Sequence, residues 1–184
     1  MSVQLDTPAP LDAFSLSLGA HPSLGGRAQK ALDLPVLVDV VRGFAQRPNL
    51  WEHHIQYNSH RRWWTQLVAD KNIDVWLLTW LTTQETELHD HGGSSAAFTV
   101  VQGALSEVRV GAHGAVELSK VDAASHTVQW VAPGTVHDVG NPFAQPAVSI
   151  HAYSPPLTQM TYYEREPNGL RAIRTEPVHG PERI

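Results

Sequence analysis

Leu88-His89-Asp90-His91-Gly92-Gly93-Ser94 sets two imidazoles one residue apart inside a run of strand-like sequence. Side chains alternate across a strand, so His89 and His91 share one face and Asp90 takes the other. Two neutral nitrogen donors on one face are half of a metal site. The other half lies downstream in Pro133-Gly134-Thr135-Val136-His137-Asp138-Val139-Gly140-Asn141, where a Pro-Gly turn delivers His137 at the start of another strand. Imidazole suits zinc, copper, iron and nickel, so three such ligands bound the metal without choosing it. The pattern is that of a metalloenzyme.

A second constellation follows. Ser149, His151 and Tyr153 alternate in an apolar stretch, which lines up a hydroxyl, an imidazole and a phenol along one strand face. Ser149 can set the His151 tautomer and His151 can orient the Tyr153 hydroxyl.

The elements that must position these groups are mostly strands. The runs 63–68, 74–80, 87–91, 97–102, 104–110, 115–119, 127–131, 136–139, 147–153, 158–164 and 170–175 are short, apolar or alternating, and bounded by turn residues. Short strands at regular spacing predict a closed β-barrel or a double-sheet jelly roll. Ahead of them, Asp33 and Pro35 open a helix in which Val36, Leu37, Val40, Val41 and Phe44 recur at helical spacing, ended by Pro48. A second short helix is expected over 51–58. Residues 1–27, rich in Pro, Ser, Gly and Ala, are expected to form a loosely attached arm, and 28–184 a single domain.

Composition narrows the class. The 184 residues are 42% hydrophobic and 17% charged, ordinary for one globular domain. A net charge of −5 argues against nucleic acid and anionic membranes as partners. There is no cysteine, which excludes disulfides, zinc-thiolate sites and cysteine nucleophiles. The N-terminal residues lack the basic and apolar regions of a secretory signal, and no apolar run approaches the ~18 residues of a membrane span. A cytoplasmic protein, monomeric and free of nucleic-acid or membrane partners, is expected.

His89-x-His91 with Gly103, followed by Pro133-Gly134-x-x-His137-x-x-x-Asn141, resembles the two-part motif of the cupin superfamily. The glutamate that many metal-binding cupins carry after the second histidine is missing: Ala96 stands there, beside Ser95, a poor ligand. The ligand set is then three neutral imidazoles, which leaves positions open for anionic donors such as a thiolate. Glu87 shares the face of His89 and His91 and is the one further candidate ligand.

Ser149-x-His151-x-Tyr153-Ser154-Pro155-Pro156, taken with His89-Asp90-His91, resembles the cysteine dioxygenase family of thiol dioxygenases over about half of the chain, 63–160. The resemblance implies a cupin barrel with a short N-terminal helical segment and Fe(II) held by His89, His91 and His137. It also implies a thiolate substrate oxidised by dioxygen to a sulfinate, with Ser149, His151 and Tyr153 as a hydrogen-bonded catalytic triad. Two departures matter. Mammalian-type members crosslink the tyrosine to a cysteine, whereas Ala96 lies at that position here, so Tyr153 works as an unmodified phenol. Cysteine-specific members carry an arginine on an early strand for the substrate carboxylate. Trp64-Thr65-Gln66 matches that segment and puts Gln66 in the arginine's place, as in some members that prefer 3-mercaptopropionate. A shifted alignment brings Arg61 or Arg62 to the site instead.

The expected activity is iron-dependent oxidation of a small thiol carboxylate, L-cysteine first and 3-mercaptopropionate as the alternative. Another metal-cupin activity and a non-catalytic metal-binding sensor remain as competing readings. Trp80 is expected near the site and Trp76 in barrel packing, with Phe98 and Val100 in the core.

Overall fold

The computed structural model describes residues 31–111 and 115–178. The expected N-terminal arm, 1–27, lies outside the described residues, as do His21, His113 and His179.

Among the described residues, one α-helix precedes the strands. α1, Leu34–Ala45, starts after Asp33 with proline in its first turn, and it buries Leu37 and Val41. Asp33 flanks the start without a side-chain capping bond. Within the helix expected over 51–58 only a single 3-10 turn forms, Glu52–His54, just after another at Pro48–Leu50. Their few residues gain no amphipathic face long enough to continue a helix.

Eleven strands follow: β1 (Trp63–Ala69), β2 (Asp74–Trp80), β3 (His89–Asp90), β4 (Ser95–Gln102), β5 (Ala104–Val110), β6 (Val116–Asp122), β7 (Val128–Val131), β8 (Val136–Gly140), β9 (Ala147–Ser154), β10 (Gln159–Glu166) and β11 (Gly169–Pro177). They form two antiparallel sheets, one in the order β1-β2-β9-β4-β7 and the other β11-β10-β3-β8-β5-β6. This is the mainly β, cupin-type architecture expected from the sequence.

Three apolar clusters divide the interior. Leu37, Val41 and Trp51 pack with Val75, Leu77, Ala97, Val148, Ile150 and Ala152, which seats α1 on the outer face of the first sheet. Trp80, Phe98 and Val100 from that sheet meet Leu105, Val121 and Val139 from the second, which closes one end of the barrel. Trp76, Ala96, Val131, Tyr153 and Leu157 form the third cluster, beside the open end. Because α1 covers its outer face, β9 is covered on both faces and all eight of its residues are buried.

Gly103 makes the turn from β4 to β5 possible. Its φ of +72° is a left-handed conformation, and a Cβ there would lie 2.5 Å from the carbonyl oxygen of Pro146. No helix among the described residues is long and apolar enough to cross a membrane.

Candidate metal centre

His89 lies in register with His137 across the β3–β8 pair, while His91 follows β3 directly. The three rings converge, with centroids 4.7–5.1 Å apart. One nitrogen from each lies within 4.8 Å of the others, and the three side chains are buried. The Nε2 atoms of His91 and His137 are 3.4 Å apart. Two nitrogens each 2.0–2.1 Å from a common ion at a tetrahedral angle would be separated by ~3.3–3.4 Å, so the donor set fits a transition-metal ion. Burial, reinforced by the neighbouring rings, pushes His89 down to about 3 and His91 well below the ordinary imidazole range. Both rings are therefore neutral, the state a metal requires.

The other ring nitrogens have three different environments. His89 Nδ1 lies 2.7 Å from the backbone oxygen of Glu87. His137 Nδ1 lies 2.9 Å from Oε1 of Glu107, a carboxylate with 0% exposure. His91 Nδ1 is buried without a hydrogen-bond partner. Sequence reasoning does not single out Glu107. The available signal is an acid and a base, Glu107 and Arg109, alternating with Leu105 on the inward face of an otherwise apolar strand.

Glu87, the candidate fourth ligand, is not part of this set. Its carboxylate is exposed and takes both terminal nitrogens of Arg174, at 2.7 and 2.9 Å. Asp90 faces away from the histidines, where it accepts hydrogen bonds from the Tyr163 hydroxyl at 2.6 Å and the Gly92 amide at 2.9 Å.

Ser149, His151 and Tyr153 line the inward face of β9 and are all buried. Ser149 Oγ lies 2.8 Å from His151 Nε2 and accepts the Trp80 indole N–H at 2.9 Å. His151 stacks on Phe98, the centroids 4.8 Å apart and the planes 6° from parallel. The expected link from His151 to the Tyr153 hydroxyl takes another form: the two rings lie nearly parallel, their centroids 6.4 Å apart. Tyr153 and His91 instead meet in a T-shaped arrangement, their ring centroids 5.0 Å apart. Burial raises the Tyr153 phenol above its ordinary range, so it stays protonated and can donate. Ala96 is paired in register with Tyr153, so a methyl group faces the phenol ring's strand position.

A cavity of about 400 Å³ opens over the three histidines. Trp64, Trp76, Trp80, Tyr153 and Tyr162 contribute to its wall, as do Leu78, Leu157 and Met160. Trp76 belongs both to the apolar packing, as expected, and to this wall. Arg62 also lines the cavity, with its guanidinium carbon 4.6 Å above the Trp80 ring. Its Nε and one terminal nitrogen are buried without a partner. Gln66 is not in the cavity wall. Its amide donates to Asp74 Oδ1 at 2.9 Å, and Asp74 Oδ2 accepts the Leu157 amide at 3.1 Å. The two residues offered by sequence as substrate contacts thus differ: Arg62 is part of the cavity wall and has unpartnered buried nitrogens, and Gln66 is committed to a carboxylate.

The family model described as Cysteine dioxygenase type I matches residues 27–166. Among solved structures, the protein TT1209 from Thermus thermophilus is 18% identical with a TM-score of 0.51, covering 57% of this chain and 93% of its own. An uncharacterized conserved protein with a double-stranded beta-helix domain from Klebsiella pneumoniae is 15% identical, with a TM-score of 0.49 and coverage of 67% and 93%. A cupin superfamily protein from Desulfitobacterium hafniense is 8% identical, with a TM-score of 0.48 and coverage of 57% and 87%. At such identities the likeness concerns the fold alone.

Proposed function

The chain belongs to the cysteine dioxygenase type I family, and on that premise we propose that it is an iron-dependent thiol dioxygenase acting on a small thiol carboxylate, L-cysteine first. The observation that carries this reading is one cavity holding a buried three-histidine cluster and a buried guanidinium with unpartnered donors. Fe(II) held by His89, His91 and His137 would supply the redox chemistry that joins thiolate sulfur and dioxygen. Both atoms of dioxygen end on the sulfur, so the sulfinate forms without an external reductant.

The remaining residues bind and orient. Arg62 offers its free N–H groups to the substrate carboxylate, a charge-assisted contact strengthened by the low-dielectric aromatic surroundings. That anion relieves the cost of a buried, unpaired cation, which favours carboxylate-bearing thiols over neutral ones. Tyr153 is a proton donor above the histidines, and it is held at that depth by the strand it shares with Ser149 and His151. Trp64, Trp76 and Trp80 exclude water from the reacting sulfur.

A second substrate, 3-mercaptopropionate, is favoured by a separate observation. Glu85 and Glu87 are the acidic residues of the cavity lining; both are exposed, and Glu87 is held by Arg174. The interior therefore recognises an acid end and offers no counter-charge to an amino group.

The test is oxygen consumption by anaerobically iron-loaded protein with L-cysteine, 3-mercaptopropionate and cysteamine in parallel. Uptake matched by sulfinate is expected with a carboxylate-bearing thiol, and cysteamine is expected to be the poorest substrate. Arg62→Met should remove the preference for the carboxylate. Absence of uptake with all three thiols, in protein that holds iron, would overturn the dioxygenase reading in favour of a binding or sensing cupin.

A further inference from the structure

We propose that Glu107 is the positioning residue of the metal centre: it supplies, through His137, the negative charge that the ligand set itself lacks. The inference rests on the three-histidine centre and is independent of the thiol substrate.

β5 and β8 are paired so that Arg109 faces His137 and Glu107 faces Val139. Glu107 is therefore the diagonal neighbour of His137 on the inward face, within reach of its ring. Its Oε1 sits 2.9 Å from His137 Nδ1. An ionised carboxylate only accepts, so the proton of His137 resides on Nδ1 and its Nε2 lone pair is left for the ion. Nε2 is the nitrogen that approaches His91, at 3.4 Å. The hydrogen bond thus selects the tautomer that a metal needs and fixes the ring plane.

A carboxylate with no solvent exposure is costly to keep, and Arg109 offsets that cost. Its Nε lies 3.1 Å from Oε1, and a terminal nitrogen lies 3.1 Å from Oε2. The same terminal nitrogen reaches Gln129 Oε1 at 3.5 Å, and the guanidinium carbon lies 6.0 Å from the ring centroid of the half-exposed Trp130. A buried pair of this kind adds little net stability over apolar residues of equal volume. Its placement directly behind one metal ligand gives it another use.

The contrast among the three ligands makes that use specific. His89 has a neutral carbonyl behind it, His91 has no partner, and His137 has a full carboxylate. His137 is therefore the strongest electron donor of the three. With Ala96 where other cupins carry a ligating glutamate, the negative charge has moved one hydrogen bond back from the metal. Shared with Arg109, that charge offsets a divalent ion in part and occupies no coordination position, leaving those positions for substrate.

The test compares the parent protein with Glu107→Gln and with the double variant Glu107→Gln/Arg109→Met, which leaves no buried charge unpaired. Folding of each metal-free variant is checked by circular dichroism, and the double variant answers the question if the single one fails to fold. Two readouts are taken, neither of which is turnover: Co(II) affinity by chelator competition and the Fe(III)/Fe(II) midpoint potential of iron-loaded protein. Loss of the carboxylate should weaken Co(II) binding by about 10–100-fold and move the potential to a more positive value, because the oxidised ion loses more stabilisation than the reduced one. Co(II) affinity within about twofold of the parent would overturn the proposal. So would weakened affinity with an unmoved potential, since a purely spatial support for the ring would do that.

Discussion

The two faces of β9 do different work. On one face Val148, Ile150 and Ala152 press against α1 in a fully apolar cluster. On the other, Ser149, His151 and Tyr153 look into the barrel, where each polar group costs free energy unless it is satisfied by a neighbour. One strand thus carries a face that stabilises and a face that performs chemistry, with every functional residue flanked by anchoring ones. α1 seals the back of the strand, and burial inside the barrel holds the His151 ring well below the ordinary imidazole range.

The largest effect is expected on the wall opposite the inward face of β9. His137→Ala removes one of three ligands and leaves Glu107 buried without its imidazole partner. Stoichiometric metal binding and all oxygen uptake should be lost, as read by metal analysis and an oxygen electrode. A protein that kept one bound metal ion would show that His137 is not a ligand.

Acid should expose the same contrast without mutation. In the metal-free protein burial holds His89 at about 3, while its ordinary value is 6.5. Between those values the unfolded chain binds a proton that the folded chain refuses. Stability is therefore full above pH 6.5 and falls as the pH drops toward 3, by ~4–5 kcal/mol from this group. His151 and His91 act in the same direction. Urea titrations of metal-free protein between about pH 7 and pH 4 would measure the slope, and a flat profile would contradict neutral burial of these rings.

The paired substitutions Ile150→Ala and Tyr153→Phe separate the two faces on the strand itself. Ile150→Ala should cost ~2–5 kcal/mol of folding stability while metal affinity is retained. Tyr153→Phe should leave the melting profile and the metal in place and slow turnover by about 10–100-fold, or ~1.4–2.7 kcal/mol. If both variants lost stability and neither lost rate selectively, the division of labour between the faces would be wrong.

The local features of this molecule are readable in its sequence. Alternation along a strand is set by the chain's own geometry, so His89 with His91, and Ser149 with His151 and Tyr153, belong to shared faces whatever the fold. The strand positions, the helix around Leu37 and Val41 and the turn before His137 follow from equally local patterns. The second helix does not form because the tight turns around Trp51 carry no sustained period. What the sequence cannot decide is every relation between strands. Gln66 is the aligned candidate, and Arg61 or Arg62 the shifted one, until the β1–β2 pairing sets Gln66 opposite Trp76, where its amide is taken by Asp74. A register shift between Gln66 and Val68 adds to this, and no residue pattern announces it. Glu107 becomes a partner of His137 only through the β5–β8 register. Facing along one strand is a property of bond geometry and travels with the sequence. Facing across strands depends on pairing, bulges and turn lengths summed over the whole barrel, and only the tertiary structure fixes that sum.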